Sequence, residues 1–307
     1  MKLGFSLPVA GPWATPDNLV TIAQRAESLG YSSVWVLQRL LYALEPKNQY
    51  YGAPGTTWPK AFERVLDPIV ALTYVAGVTQ RVRLGTSVLI SPFYQPAVLA
   101  KMLATLDVVS KGRLHVGLGI GWSEDEHDAV GVPFRDRGAR ADEFLRSLKA
   151  IWTDEVVEFR GRFYRMPKAR VEPRPVQRPH PPITLGGYSP ATIRRAVTLA
   201  DGYNGGNMPL ERIAKIVGEL RAEAAAVGRD PASLQIVCRG VFRVHDTPQG
   251  AARRPLSGTV AEIREDLDRY AAVGVTELFL EANFDQDDGQ LSRALDAMTA
   301  LAPQGGS

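Results

Sequence analysis

The chain has 307 residues, 45% apolar and 22% charged, with a formal net charge of +3. That composition describes a globular chain with a sizeable core, and it excludes low-complexity, collagenous and disulfide-scaffold classes. Basic residues are scattered rather than clustered, which excludes a nucleic-acid face, and no 18-residue apolar run offers a membrane span.

The first strand is expected near residues 2–8, in "KLGFSLP". This start has one Lys and a short, proline-broken apolar run, so it does not read as a secretion signal. A helix follows, with Thr15 as N-cap, Pro16 at its first position and Gly30 past its end. Strand two is "SSVWVL", 32–37, and a long loop covers 39–61. Tyr42, Tyr50, Tyr51 and Trp58 in that loop suggest a lid over a substrate. A helix near 65–78 leads to strand three, "RVRLGTSVLISP". Its apolar run is broken by Gly85, Thr86 and Ser87, where something must approach the backbone and two hydroxyls need partners. Helix three runs from about Pro96 to Ser110. Strand four is "RLHVGLGIG", followed by a turn near 123–130 and the helix in "RADEFLRSLKAIW".

Residues 155–182 read as an insertion, a β-hairpin and then the Pro-rich "VEPRPVQRPHPP". Strand five is "ITLGG", with its helix starting at Ser189-Pro190. Strand six is "GYNGG", and helix six covers about 209–227. Strand seven is "SLQIVCRGVFRV", holding the sole cysteine, Cys238, read as a small buried hydrophobe. Helix seven starts at Thr259, strand eight is "TELFLEA", and a last helix closes the chain.

Strict alternation means parallel strands joined by helical crossovers. Eight such units predict a single α/β domain, a (β/α)8 TIM barrel with insertions, over 1–307. An open doubly wound sheet needs a phosphate-binding turn after strand one, and "SLPVAGPW" supplies none. In a barrel the chemistry sits at the carboxyl ends of the strands. Strand two ends in Gln38-Arg39. Strand four ends in "GLGIGW", whose glycine spacing is not a dinucleotide fingerprint but thins the backbone for a flat ligand beside Trp122. Ser123 and Glu126 have the spacing of a capping box, and His127 lies next to the mouth. The glycine pairs Gly186-Gly187 and Gly205-Gly206 precede helix starts and suit an anion. Arginine outnumbers lysine 28 to eight, which also favours a forked contact with a small anionic ligand. The four histidines are dispersed and no Cys cluster exists, so no metal is expected.

"RVRLGTSVLISP", "GRLHVGLGIGWSEDEHDAVGVPF", "RGARADEFLRSLKAIW" and "ITLGGYSPATIRRAVTLADGYNGG" together resemble the luciferase-like flavin and deazaflavin oxidoreductases, closest to the branch using coenzyme F420. The resemblance implies a cis bond between Ser87 and Val88 and a bulge behind the coenzyme ring, touched by Thr86, Ser87 and Val88. It implies a phosphate cradle of Gly186, Gly187, Gly205, Gly206 and Asn207. The sugar-phosphate dehydrogenases of that family carry an Asp-His pair and a Glu where this chain has Gln38-Arg39 and Trp122, so a glucose-6-phosphate dehydrogenase is not expected. The candidate catalytic set is Gln38, Arg39, Trp122 and His127, with Arg39 offered to a substrate carboxylate or the coenzyme. The expected activity is hydride transfer between F420 and a small organic substrate. The alternatives are an FMN-dependent monooxygenase and a catalytically silent deazaflavin-binding protein. A cytoplasmic homodimer paired through helices two and three, with no nucleic-acid or membrane partner, completes the expectation.

Overall fold

The computed structural model describes residues 1–303, except 54, 207, 251 and 285–288. In chain order the strands are β1 (Lys2–Ser6), β2 (Ser33–Val36), β3 (Arg83–Thr86), β4 (Leu89–Ile90), β5 (Leu114–Gly119), β6 (Val157–Arg160), β7 (Arg165–Ala169), β8 (Ile183–Leu185), β9 (Gly202–Gly205), β10 (Gln235–Val241), β11 (Arg243–Val244), β12 (Ser257–Gly258) and β13 (Glu277–Glu281). The helices are α1 (Pro16–Ser28), α2 (Pro68–Ala76), α3 (Pro96–Val109), α4 (Glu124–Ala129), α5 (Arg137–Thr153), α6 (Pro190–Thr198), α7 (Leu210–Ala226), α8 (Val260–Ala272) and α9 (Gln290–Ala300).

The main sheet runs β3-β2-β1-β13-β10-β9-β8-β5, and β5 closes it by pairing with both β3 and β4. Every pairing in it is parallel. β3 and β4 fill one position of the ring, so this is the closed eight-position barrel that the alternation predicts. The hydroxyl interruption in the third strand is real. The ladder stops after Thr86 and resumes at Leu89, and the Ser87–Val88 peptide is cis. The hairpin in the insertion also forms, as antiparallel β6 and β7. Its turn is held by Glu143 of α5, which accepts from the backbone of Phe163 (2.9 Å) and Tyr164 (2.6 Å).

Local chemistry fixes the boundaries. Thr15 caps α1 through Asn18 N (3.2 Å). α2 starts at Pro68, later than its apolar pattern suggests. Val65 bridges Ala10 and Leu66 N donates to Val9 O (2.8 Å), so the backbone there is committed elsewhere. Asp67 then caps the helix by accepting from Ile69 N and Val70 N, both at 2.9 Å. Strand seven ends at Val241, earlier than expected, because Arg243–Val244 leaves the barrel to pair with β12. Cys238 is fully buried and unpaired.

Apolar side chains fill two places. One layer lies between the strands and the helices; the other is a plug inside the barrel, made of Trp35, Val237 and Phe279. Trp35 stacks on Phe279 with centroids 5.1 Å apart and planes 13° from parallel. Gly85 belongs to this plug. A Cβ there would be driven into the Trp35 ring, so its side-chain space is used by packing rather than by a ligand. Below the plug lies a polar floor at the strands' amino ends. Glu277, 3% exposed, pairs with Arg83 and accepts from Ser33 Oγ and Trp35 Nε1. His115 beside it contacts Thr184 Oγ1 at 3.0 Å through Nε2. Burial, helped by Arg83 and Lys2, pushes its pKa down to about 3, so the imidazole is neutral.

Candidate active site at the barrel mouth

Side chains along a strand alternate between the two faces, so interior positions recur every second residue. Starting from the plug, Trp35 leads to Leu37, Gly85 to Ser87 and Val237 to Arg239. Gly117, whose Cβ would meet Asn204 Nδ2 and Thr86 O, leads to Gly119 and Gly121. These second steps all line one cavity of about 460 Å³ at the carboxyl ends of the strands. Pockets of this size hold cofactors and small ligands.

One wall is the interruption between β3 and β4. Ser87 and Val88 face the cavity, and Ser87 Oγ donates to Asn204 Oδ1 at 2.8 Å, which ties the bulge to β9. Thr86 does not reach the cavity. It is fully buried, and its Oγ1 both donates to Gly117 O (2.9 Å) and accepts from Gly117 N (2.8 Å). The hydroxyl's partner is therefore the neighbouring strand, not a ring.

The glycine ends divide in the same way. Gly186, Gly187 and Gly206 line the cavity, next to Ser189, the N-cap of α6. Gly187 has φ +139°, and a Cβ there would press on Thr192. Gly205 lies within β9, its open side towards Tyr203 and Cys238, so it is no part of the wall. Asn207 lies outside the described residues. Arg137 enters from α5. It sits over the Phe134 ring at 3.5 Å and leaves its buried Nε without a partner.

Gln38, Arg39 and Trp122 all line the cavity, but the two polar groups are occupied. Gln38 accepts from Ile90 N (2.7 Å) and donates to Tyr94 Oη (2.5 Å). Arg39 Nη1 lies 2.9 Å from Glu126 Oε2, and its guanidinium is 4.8 Å from the Trp122 ring. The capping box is only half formed. Ser123 Oγ accepts from Glu126 N (3.2 Å), whereas the Glu126 carboxylate turns inward to Arg39 and to Leu40 N (2.6 Å). A fully buried carboxylate without that cation would be costly, so the ion pair wins over the cap. Arg39 is therefore not the open cation that the sequence suggests. His127 is set behind the wall. It is fully buried, its Nδ1 is 2.8 Å from Ser123 O, and a Cβ on Gly121 would press on its ring. Burial lowers its pKa, with the Ser123 carbonyl opposing.

The 39–61 loop covers one side of the mouth. Asn48 pins it, accepting from Glu124 N (3.0 Å) and donating to Trp122 O. Trp58 packs edge-on against Trp122 at 4.9 Å, and Tyr51 lines the cavity itself. Tyr42 and Tyr50 pack against the core instead. Sequence reasoning passed over Arg239, Arg137, Asn204, Tyr188 and Phe62, which also line the cavity. A charged residue two steps beyond a plug valine was the available signal for Arg239.

A closed parallel barrel with a glycine-thinned, cofactor-sized mouth defines the class. The chain belongs to the luciferase-like monooxygenase family, whose model matches residues 1–305. It is 34% identical over 207 residues to the F420-dependent glucose-6-phosphate dehydrogenase of Kineococcus radiotolerans, covering 66% of this chain and 56% of that one. It is 39% identical over 153 residues to the FMNH(2)-dependent dimethylsulfone monooxygenase of Pseudomonas putida, covering 49% and 42%. The crystal structure of the monooxygenase RslO1 from Streptomyces bottropensis superposes with a TM-score of 0.80 at 24% identity, over 99% of this chain and 98% of that one. The family thus has F420-dependent and FMN-dependent members, and this chain is an oxidoreductase of the luciferase-like type.

Proposed function

We propose that the protein is an F420-dependent oxidoreductase acting on a small organic substrate. The observation that carries this reading is the Ser87–Val88 bulge, which shares one cavity with the glycine-bearing ends of β5, β8 and β9. The residues present fit a flat tricyclic ring with an anionic tail. Ser87 and Val88 supply a backing wall; Gly119 and Gly121 line the same cavity, but their missing side chains make room for Val88 and His127 rather than for the ring. Gly186, Gly187 and Gly206 line the wall beside the start of α6, whose N-terminal dipole favours a phosphate even though Thr192 N and Ile193 N are already bonded to Ser189. The guanidinium of Arg137 lines the same cavity and suits the several acidic groups of an F420 tail.

Bound there, a deazaflavin supplies two-electron hydride chemistry, and the protein supplies position and electrostatics. Trp122, Phe62 and Tyr51 wall the mouth and reduce water access. Gln38 is held by two hydrogen bonds and braces β4 behind the bulge. The neutral His127 braces Gly121 from behind and is not a proton donor to the cavity. Asn204 fixes Ser87.

The similarity to an FMNH(2)-dependent monooxygenase keeps a second reading in play. Titration of the purified protein with F420 and with FMN, followed by fluorescence, separates them. Submicromolar F420 binding with weak FMN binding is the expected result. Tight FMN binding with none for F420, or turnover that stops without oxygen, would overturn the F420 reading. Hydride exchange with any substrate would remove the silent-binder alternative.

A homodimer through α2 and α3 is the companion proposal. Val70 and Tyr74 on α2 and Val98 and Val109 on α3 are exposed apolar residues on adjacent helices. Sedimentation at twice the 33.5 kDa chain mass is expected, and a monomer mass would refute it. A cytoplasmic location goes with it, supported by the lone cysteine staying an unpaired buried thiol. Among the described residues no helix is long and apolar enough to cross a membrane.

A further inference from the structure

Three arginines line the mouth, Arg39, Arg137 and Arg239, and among the described residues only Arg39 has a carboxylate. Arg137 belongs to the side proposed for the coenzyme tail, which leaves Arg239. Arg39 is 2.9 Å from Glu126. Arg239, on β10, is 8% exposed, and no Asp or Glu among the described residues lies within ion-pair distance of it. Its Nε is buried without a hydrogen-bond partner. Glu281 acts on it only from a distance, since Glu281 Oε1 is held by Asn283 through its N (2.9 Å) and Nδ2 (2.7 Å). A buried guanidinium without a directly paired anion is costly, and a ligand oxyanion removes the cost.

The surroundings specify the ligand further. Arg239 lies 5.6 Å from the Phe284 ring and against the phenols of Tyr50, Tyr51 and Tyr188. Tyr50 and Tyr51 accept hydrogen bonds from its side chain, and the Tyr51 hydroxyl proton is left to donate. Tyr51, Phe62 and Trp122 line the same cavity, which suits a flat apolar body. In the eight-position ring, β10 is four positions from β3 in either direction. Arg239 therefore stands across the barrel from the Ser87–Val88 bulge, facing the open side of a ring seated there. Tyr51 adds a donor. Burial raises its phenol pKa, but Arg239 and Arg39 outweigh burial and hold it below the ordinary tyrosine range. A more acidic phenol donates a stronger hydrogen bond to an oxyanion.

We propose that the substrate is an organic carboxylate with a flat apolar body, that Arg239 receives the carboxylate as a fork, and that Tyr51 donates a further hydrogen bond to it. The proposal rests on the coenzyme-dependent reading of the mouth. A phosphate or carboxylate of the coenzyme itself is the rival source of the same oxyanion.

Calorimetric titration of benzoate, and of its neutral isostere benzamide, into the wild-type protein and Arg239→Gln tests it, with F420 and FMN titrated separately into both. In the wild type benzoate is expected to bind about tenfold more tightly than benzamide, and Arg239→Gln to remove that preference while coenzyme affinity stays within about twofold. Equal affinity of the wild type for benzoate and benzamide overturns the proposal, and needs no variant to fold. Undiminished benzoate binding in Arg239→Gln overturns it too. So does a variant that loses coenzyme affinity instead, since the oxyanion is then the coenzyme's own. Arg239-dependent benzoate binding in a protein that takes neither coenzyme supports the anion site and sinks the coenzyme reading instead.

Discussion

The two ends of the barrel are both polar, and they are polar in different ways. At the floor, Glu277 gathers Arg83, Ser33 and Trp35, so a buried carboxylate has a cation and two further donors. At the mouth, the buried Nε atoms of Arg137 and Arg239 both lack partners and face one cavity, whereas beside the floor Nδ1 of His115 is the buried atom left open among the described residues. Buried polar groups normally find partners, so a cluster left open in a folded chain marks a place that something else completes. The floor answers to stability, the mouth to a ligand, although one fold and one run of strands build both.

The hardest test of that contrast is at the floor. Glu277→Ala leaves Arg83 without its carboxylate and strips the acceptor from Ser33, while Trp35 keeps only its bond to Ser33 Oγ (2.7 Å). It is expected to cost about 3 kcal/mol in urea denaturation, the low end for a broken buried pair because Arg83 is part-exposed. A loss below about 1 kcal/mol would mean that the floor is not the structural end.

Acid sharpens the same point. The folded-state pKa of His115 lies below its unfolded value of 6.5, down to about 3. Between those limits the unfolded chain binds the extra proton, so stability falls as pH falls from 6.5 towards 3 and is unaffected by this group above 6.5. His115 alone is expected to cost about 2 kcal/mol at pH 5, and His115→Asn to flatten the fall by that amount. Unfolding curves at pH 7 and pH 5 for both proteins check this; parallel slopes would refute it.

At the mouth the effects move from stability to binding. Asn204→Ala releases Ser87 Oγ and is expected to weaken coenzyme binding by about fivefold, or about 1 kcal/mol, measured by fluorescence titration. The smallest effect is predicted for the stability of Arg239→Gln. Removing a cation without a bonded carboxylate is expected to shift unfolding by less than about 1 kcal/mol, against about 3 for the floor. A loss as large as that of Glu277→Ala would show that Arg239 is a structural ion after all.

Much of the barrel was legible because strict alternation leaves few topologies, and the break at Gly85-Thr86-Ser87 was visible as a flaw in an otherwise apolar strand. What the break is for was less legible. Gly85 yields space to Trp35 and Thr86 bonds Gly117, so of the three interrupting residues only Ser87 faces the cavity. Sequence order cannot say which face of a strand looks inward until one interior residue is known. The resemblance carries Thr86 and Gly205 to the coenzyme motif by motif, whereas the facing of their side chains, and that of Arg239, shows only in the fold. Long-range pairing was equally hidden. Gln38, Arg39 and His127 looked available because Tyr94, Glu126 and Ser123 are joined to them by folding rather than by a spacing that announces the bond.

Trp122 gives the protein a built-in optical gauge. Among the chain's five tryptophans, Trp13, Trp35, Trp58 and Trp152 are each no more than 6% exposed, while Trp122 alone lines the cavity. Trp58 lies 4.9 Å from it, close enough to pass excitation energy to it. An absorbing molecule entering the mouth would therefore dim Trp122 and Trp58 most strongly, the indoles nearest to it, and a Trp122→Phe variant would isolate their share of the signal.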